Sequence, residues 1–255
     1  MVDVEVTMYK KWIGLALLTM STYSHASQCE VDVENEVHLD GHEVEVYQQG
    51  QAKVLIDKDN NVFINGEKLS LSEWQAQAVD TYREKMNEYV PRAKDIANNG
   101  ADLAKDIVDD VSASFDNSEA FSNVKSAIDD FYSELESRYY QEGEFILKEN
   151  AFKDAFSNWK KDFEGAMQTF NGEFFSSAFS ALSEKMKTDG GINFTEMQKQ
   201  MSALKDSLKE KIQGQSEEIR KEAQQYCDQL KDVATEEQKL HEKIPELKDY
   251  PVFLI

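Results

Sequence analysis

Positive charge is what this sequence lacks most. Its 28 Lys and Arg stand against 49 Asp and Glu, a formal net charge of −21. Such a chain repels phosphate backbones and anionic membranes, which draw Lys- and Arg-rich proteins by counterion release. Nucleic-acid binding is therefore disfavoured, and a cationic partner or plain solubility takes its place. Long apolar runs are missing too. The longest, Trp12 to Met20, falls short of the ~20 residues that span a bilayer. The recognisable catalytic signatures are also missing: no G-x-S-x-G, H-E-x-x-H, phosphate-binding glycine loop or C-x-x-C occurs. Carboxylates are too abundant for any acid–base pair to stand out, so no catalytic residue, metal site or cofactor is assigned. The expectation is a protein that is not an enzyme.

Only two cysteines are present, Cys29 and Cys227. What precedes them sets their context. Lys10 and Lys11 lead into the apolar run, and Ser24-His25-Ala26 follows. A basic start, a short apolar core and small residues at −3 and −1 describe a secretory signal peptide cleaved after Ala26. The acidic residues before Met8 fit that pattern badly, so Met8 is a candidate true start. Export places the cysteines in an oxidising compartment, where an even pair reads as a disulfide. The chain-entropy model gives closure of so long a loop about 5 kcal/mol as an upper figure.

Residues 27–70 read as a β-meander. In VDVENEVHLDGHEVEVY, Val31, Val33, Val37, Leu39, Val44 and Val46 alternate with polar residues. Asp40-Gly41 predicts a two-residue hairpin turn, which pairs Leu39 with His42 and Val37 with Val44. Further on, Val54-Leu-Ile56 and Val62-Phe-Ile64 flank DKDNN, and Asn65-Gly66 marks another tight turn. The DKDNN stretch has the look of a calcium loop, with Asp57, Asp59 and Asn61 at alternate positions. Counting from Asp57, however, Val62 stands where an EF-hand needs glycine and Lys68 where it needs glutamate. Turn formation is the better reading. His38 and His42 have a zinc spacing, but the hairpin register sends them to opposite faces, and His241 reads as a solvated helix-end residue.

From residue 71 to 255 the period becomes helical. Ser72-Glu-Trp-Gln75 is a capping box, Pro91 ends or kinks the first helix, and Asn98-Asn-Gly100 is a candidate interruption of the second. Breaks are also expected at 115–121, at Gln141-Glu-Gly143 and, most clearly, at 188–193. Phe152, Phe156, Trp159, Phe163, Met167, Phe170, Phe174 and Phe179 form one apolar stripe. A second series runs from Met197 to Val233, weakened at Gly214, and the two helices should pack antiparallel. The stripe reads first as core and second as an exposed groove for client segments or lipid. The apolar end Val252-Phe253-Leu254-Ile255 reads first as a tail docked on its own domain and second as a ligand for a partner's sheet edge. The fold class expected is α+β, mainly helical, tied by Cys29–Cys227 into one unit.

At this level of detail the chain resembles the YggN-like family of uncharacterised periplasmic proteins of Gram-negative bacteria. Cys29, the segment Asp59-Asn-Asn-Val-Phe-Ile-Asn-Gly66, then Leu71, Gln75 and Tyr82 through Pro91, and CDQLKDVATEEQKL at 227–240 carry the likeness. It is specific only around 55–92. Asn60 stands where the family's pattern has glycine, a change within turn chemistry because asparagine tolerates the left-handed region. The resemblance implies a periplasmic address and supports the cysteine pair, and it implies no activity. The leading functional expectation is a non-catalytic envelope protein that binds an unknown protein partner. A small-molecule or lipid carrier with a cavity among the Phe-rich helices is the alternative. Oligomeric state stays open, since a bundle stripe and an intermolecular coiled coil share one pattern.

Overall fold

A computed structural model describes residues 29–113, 121–154 and 194–255, together with 172, 174, 176–181, 183, 184 and 187 between them. The protein is α+β and mainly helical. Six short strands open it: β1 (Asp32–Val33), β2 (Glu36–Leu39), β3 (Val44–Gln48), β4 (Gln51–Ile56), β5 (Val62–Ile64) and β6 (Glu67–Lys68). Helices α1 (Glu73–Tyr89), α2 (Ala93–Ala113) and α3 (Ser122–Tyr139) follow, then the hairpin β7 (Tyr140–Gln141) and β8 (Glu144–Leu147). The long helix α4 (Phe194–Lys243) and a last strand, β9 (Phe253–Leu254), complete the described elements.

Seven strands form one antiparallel sheet in the order β6-β5-β4-β3-β2-β8-β7. The meander expected from the sequence supplies five of them in consecutive order. The hairpin 140–147 joins beside β2, where only a helix break was expected. Glu142 (φ 54°) and Gly143 (φ +95°) form its turn, as Gln49 (φ 53°) and Gly50 (φ +72°) do between β3 and β4. Both central residues at positive φ describe the tight turn whose twist matches the strands. Asn65 (φ 49°) and Gly66 (φ +82°) do the same between β5 and β6, as expected.

The Asp40-Gly41 turn is a correction. Leu39 pairs with Val44 and Val37 with Val46, so the loop has four residues rather than two. Asp40 keeps out of the left-handed region and instead accepts the amides of His42 (2.8 Å) and Glu43 (2.6 Å). The slip is by two residues, and since side chains alternate with period two the valines stay on the inner face. Val31, Val33, Val37, Leu39, Val44, Val46, Val54, Ile56 and Val62 are all buried there.

Against that face lie α1 and the C-terminal half of α4, through Val79, Tyr82, Met86, Leu230, Val233 and Leu240. A separate second core joins Ile107, Val108 and Val111 of α2 with Phe121, Val124, Phe174, Ala178, Ala181 and Leu208. Helix α4 links the two cores. Its 50 residues extend for about 75 Å at 1.5 Å per residue. Helices α1 and α2 run antiparallel to it, with Gln75 bonded to Lys243, Tyr82 to Glu237, Tyr226 to Val90, Asn99 to Glu222 and Lys211 to Asp110. The match persists across Pro91, which turns the chain through a single 3-10 turn (Val90–Arg92) without ending the pairing. Asn98-Asn-Gly100 does not interrupt α2, and Gly214 does not interrupt α4. Cys29 and Cys227 form the expected disulfide, with Cα atoms 5.5 Å apart.

Candidate functional site

The DKDNN stretch resolves into a buttressed turn. Asp57 accepts the amides of Asp59 (2.9 Å) and Asn61 (2.8 Å) and the side-chain amide of Asn61 (2.8 Å). Burial pushes its carboxyl up, but these hydrogen bonds outweigh it and hold the group below its ordinary range. Asn60 sits at φ 63°, and its side chain donates to Asp80 (2.8 Å) and accepts from Arg83 (2.7 Å). Arg83 also reaches the His42 carbonyl (2.9 Å), and Asn87 bonds both Gly41 (2.9 Å) and the Glu43 carbonyl (3.1 Å). Two turns of the sheet are therefore clamped to α1 by its own polar side chains. Among the described residues, no group of three or more His, Cys, Asp or Glu is placed to hold a metal ion.

The outer sheet face carries a polar cluster. His38 lies between Glu36 (2.8 Å) and Glu144 (3.2 Å), and its ring stacks on Tyr47 at 4.2 Å. Tyr47 donates to Glu45 (2.8 Å), and that hydrogen bond, followed by burial, pushes its hydroxyl up to about 12. Glu144 reaches His38 only because β8 pairs with β2, a juxtaposition that local sequence cannot show. His42 stays exposed in the four-residue loop, apart from this cluster. His241 is half-buried rather than solvated, and burial, then the charge of Lys248, lowers its pKa.

The most unusual chemistry lies where the C-terminal tail meets α4. Strand β9 pairs antiparallel with β1, Val33 facing Phe253 and Asp32 facing Leu254. Asn35 donates to the Pro251 carbonyl (2.7 Å), Gln48 to the Asp249 carbonyl (3.0 Å), and the Glu34 amide to the Val252 carbonyl (2.8 Å). Beneath the tail sits Glu237, only 3 % exposed. Its Oε1 accepts the Tyr82 hydroxyl (2.8 Å) and the Val252 amide (2.8 Å), and its Oε2 accepts the Phe253 amide (2.9 Å). Burial raises its carboxyl to about 7 despite those bonds, and Glu34 adds to the rise. Burial likewise raises the Tyr82 hydroxyl, with Glu237 second. Sequence reasoning missed Glu237, because it is one glutamate among many on a polar helix. Its place opposite Tyr82, once the helices are paired, is the signal.

Of the residues singled out in the sequence, Val252 and Phe253 are buried on the protein's own domain, while Leu254 (59 %) and Ile255 (53 %) are exposed. Phe152 packs against the sheet core, edge-on to Tyr226 at 6.4 Å. Phe174 is fully buried in the second core, 5.3 Å from Phe121. Phe156, Trp159, Phe163 and Phe170 lie outside the described residues, as do the signal segment and the loop at 188–193. Among the described residues, no helix is long and apolar enough to cross a membrane.

These features define a class: an α+β protein with a helix-backed antiparallel sheet, a second helical core and a disulfide joining its N-terminal strand region to its longest helix. The chain belongs to the DUF2884 family of proteins of unknown function, whose model matches residues 29–253. No curated protein and no solved structure matches it.

Proposed function

We propose that this is an exported, periplasmic cell-envelope protein of the YggN-like type that works by binding protein partners rather than by catalysis, as a scaffold or client-handling module. The observation that carries this reading is the two-core architecture on one helix. Helix α4 extends the molecule for about 75 Å, and a second apolar core forms away from the sheet. An arm of this kind offers a long surface to a protein partner. Four lysines along it are used internally: Lys94 pairs with Glu136 (2.6 Å), Lys105 with Asp129 (2.8 Å), Lys125 with Asp109 and Lys211 with Asp110. The excess carboxylates are left to face outward, which suits a cationic partner surface. The disulfide between Cys29 and Cys227 supports an oxidising compartment, since such bonds persist there.

The test is crosslinking in the native compartment, with fractionation of the cell envelope. Specific protein partners recovered with a periplasmic pool of the chain are the expected result. Recovery of no protein, together with a stoichiometric co-purified lipid or small molecule in native mass spectrometry, overturns it.

A further inference from the structure

Glu237 is a buried carboxylate with no cation. Among the described residues, no Lys, Arg or His nitrogen lies within 4.0 Å of it. The neighbouring charges are engaged elsewhere: Lys85 binds Glu236 (3.1 Å) and Lys239 leans on Glu236 (3.6 Å). From α1 it faces the Tyr82 hydroxyl, and from the β1–β2 link the negative Glu34. From the tail it meets only backbone amides, because residues 251–255 carry no titratable side chain. Half-buried His241 stands one turn further along α4. A charged carboxylate buried with three hydrogen bonds but no counter-ion is costly. The neutral acid removes the buried charge and keeps the same heavy-atom geometry by reversing one hydrogen bond. Its proton can go to the Tyr82 oxygen, since a hydroxyl both donates and accepts. Both carboxyl oxygens then remain able to take the Val252 and Phe253 amides.

We propose that the C-terminal strand is a proton-coupled latch, held on the sheet domain by Glu237 and loosened when that carboxyl ionises. When the tail lifts, Glu237 gains water and titrates as an ordinary glutamate. Docking therefore takes up a proton at neutral pH. The latch is tight in mildly acidic medium and looser above neutrality, exposing the β1 edge and the slot that holds Val252 and Phe253. With the docked carboxyl at about 7 and a free one near 4.5, the opening equilibrium should rise roughly thirtyfold between pH 5.5 and 8.5 by linkage. This inference stands apart from the binding role proposed above.

Hydrogen exchange of the full chain tests it, with rates corrected for the intrinsic pH dependence of exchange. The readout is protection of the C-terminal peptide against that of β4. Protection at Val252 and Phe253 should fall between roughly tenfold and a hundredfold from pH 5.5 to 8.5 and stay well below that of β4 throughout, so that the tail opens without the sheet. In Glu237→Gln the tail is held less tightly, because one amide loses its acceptor, and its protection should not vary with pH. A flat wild-type profile overturns the latch. So does tail protection equal to that of β4 at both pH values, which would report exchange only by global unfolding, or an unchanged pH dependence in Glu237→Gln.

Discussion

At the scale of single residues, the interior makes two polar commitments with opposite logic. Arg83 is a charge made tolerable by spreading over three acceptors, Asn60, Asp80 and the His42 carbonyl. Truncating it in Arg83→Ala leaves the Asn60 oxygen and the loop carbonyl without a donor. A loss of about 1–3 kcal/mol is expected, read as a lower urea midpoint. Glu237 is the reverse case, a charge that the fold disfavours. Its carboxyl sits at about 7 in the folded protein against 4.5 in the open chain, so between those values the native state holds a proton that the unfolded chain has released. The stability from this group is fully present below about 4.5 and is lost as pH rises through about 7. Between pH 5 and 8 the loss should be roughly 2–3 kcal/mol. His241, whose pKa is lowered, gives a slope of the other sign, since its neutral form is favoured on folding. The difference between wild type and Glu237→Gln in urea unfolding at the two pH values isolates the glutamate. Equal slopes in the two proteins would contradict the assignment.

Among the elements, the tight turns show how local chemistry and context divide the work. Asn65-Gly66 was legible because both residues favour positive φ. Glu142-Gly143 carried only half that signal, and the strands around it are two and four residues long. Its hairpin exists because β8 finds β2, from which it is more than a hundred residues distant. Asp40-Gly41 had the strongest local signal, yet Asn87 and Arg83 on α1 stabilise a wider loop. Helix α4 presents the converse situation. Gly214 is exposed within it, and a Cβ there meets nothing within 4 Å. The helix is anchored on either side of it, by Leu208 in the second core and by Leu230, Val233 and Leu240 in the first, so glycine there only costs backbone entropy. Gly214→Ala should stabilise the protein by about 0.5–1 kcal/mol, visible as a higher unfolding midpoint.

For the whole molecule, closure depends on bringing the two ends of the matched region together. Strand β1 pairs with β9, and the disulfide spans 198 residues from Cys29 to Cys227. Lys231 adds an ion pair to Glu30 (3.1 Å) at the same place. The chain-entropy model gives such a cross-link about 5 kcal/mol at most. Reduction, or the double substitution to serine, should lower stability by a measurable part of that figure, with the sheet core affected before the second core. Deleting residues 251–255 removes the buried side chains of Val252 and Phe253 and leaves Glu237 two amides short. A melting temperature several degrees lower is expected at pH 5.5.

The sequence alone was sufficient for whatever depends on neighbours in the chain. Alternation of valines placed the inner face of β1 to β5, the capping residues marked the start of α1, and Pro91 marked its end. The paired cysteines identified their own bond, because no other partner existed. Register error at Asp40 left the core intact for the same reason, since a slip of two keeps each side chain on its face. Tertiary structure decided what depends on distant partners. It placed 140–147 at one edge of the sheet beside β2, set α1 and α2 against one continuous helix, and put Glu237 under the tail. A glutamate's sequence neighbours say nothing about its burial, and only packing against Tyr82, Val252 and Phe253 turns it from a solvated charge into a titrating group near neutrality.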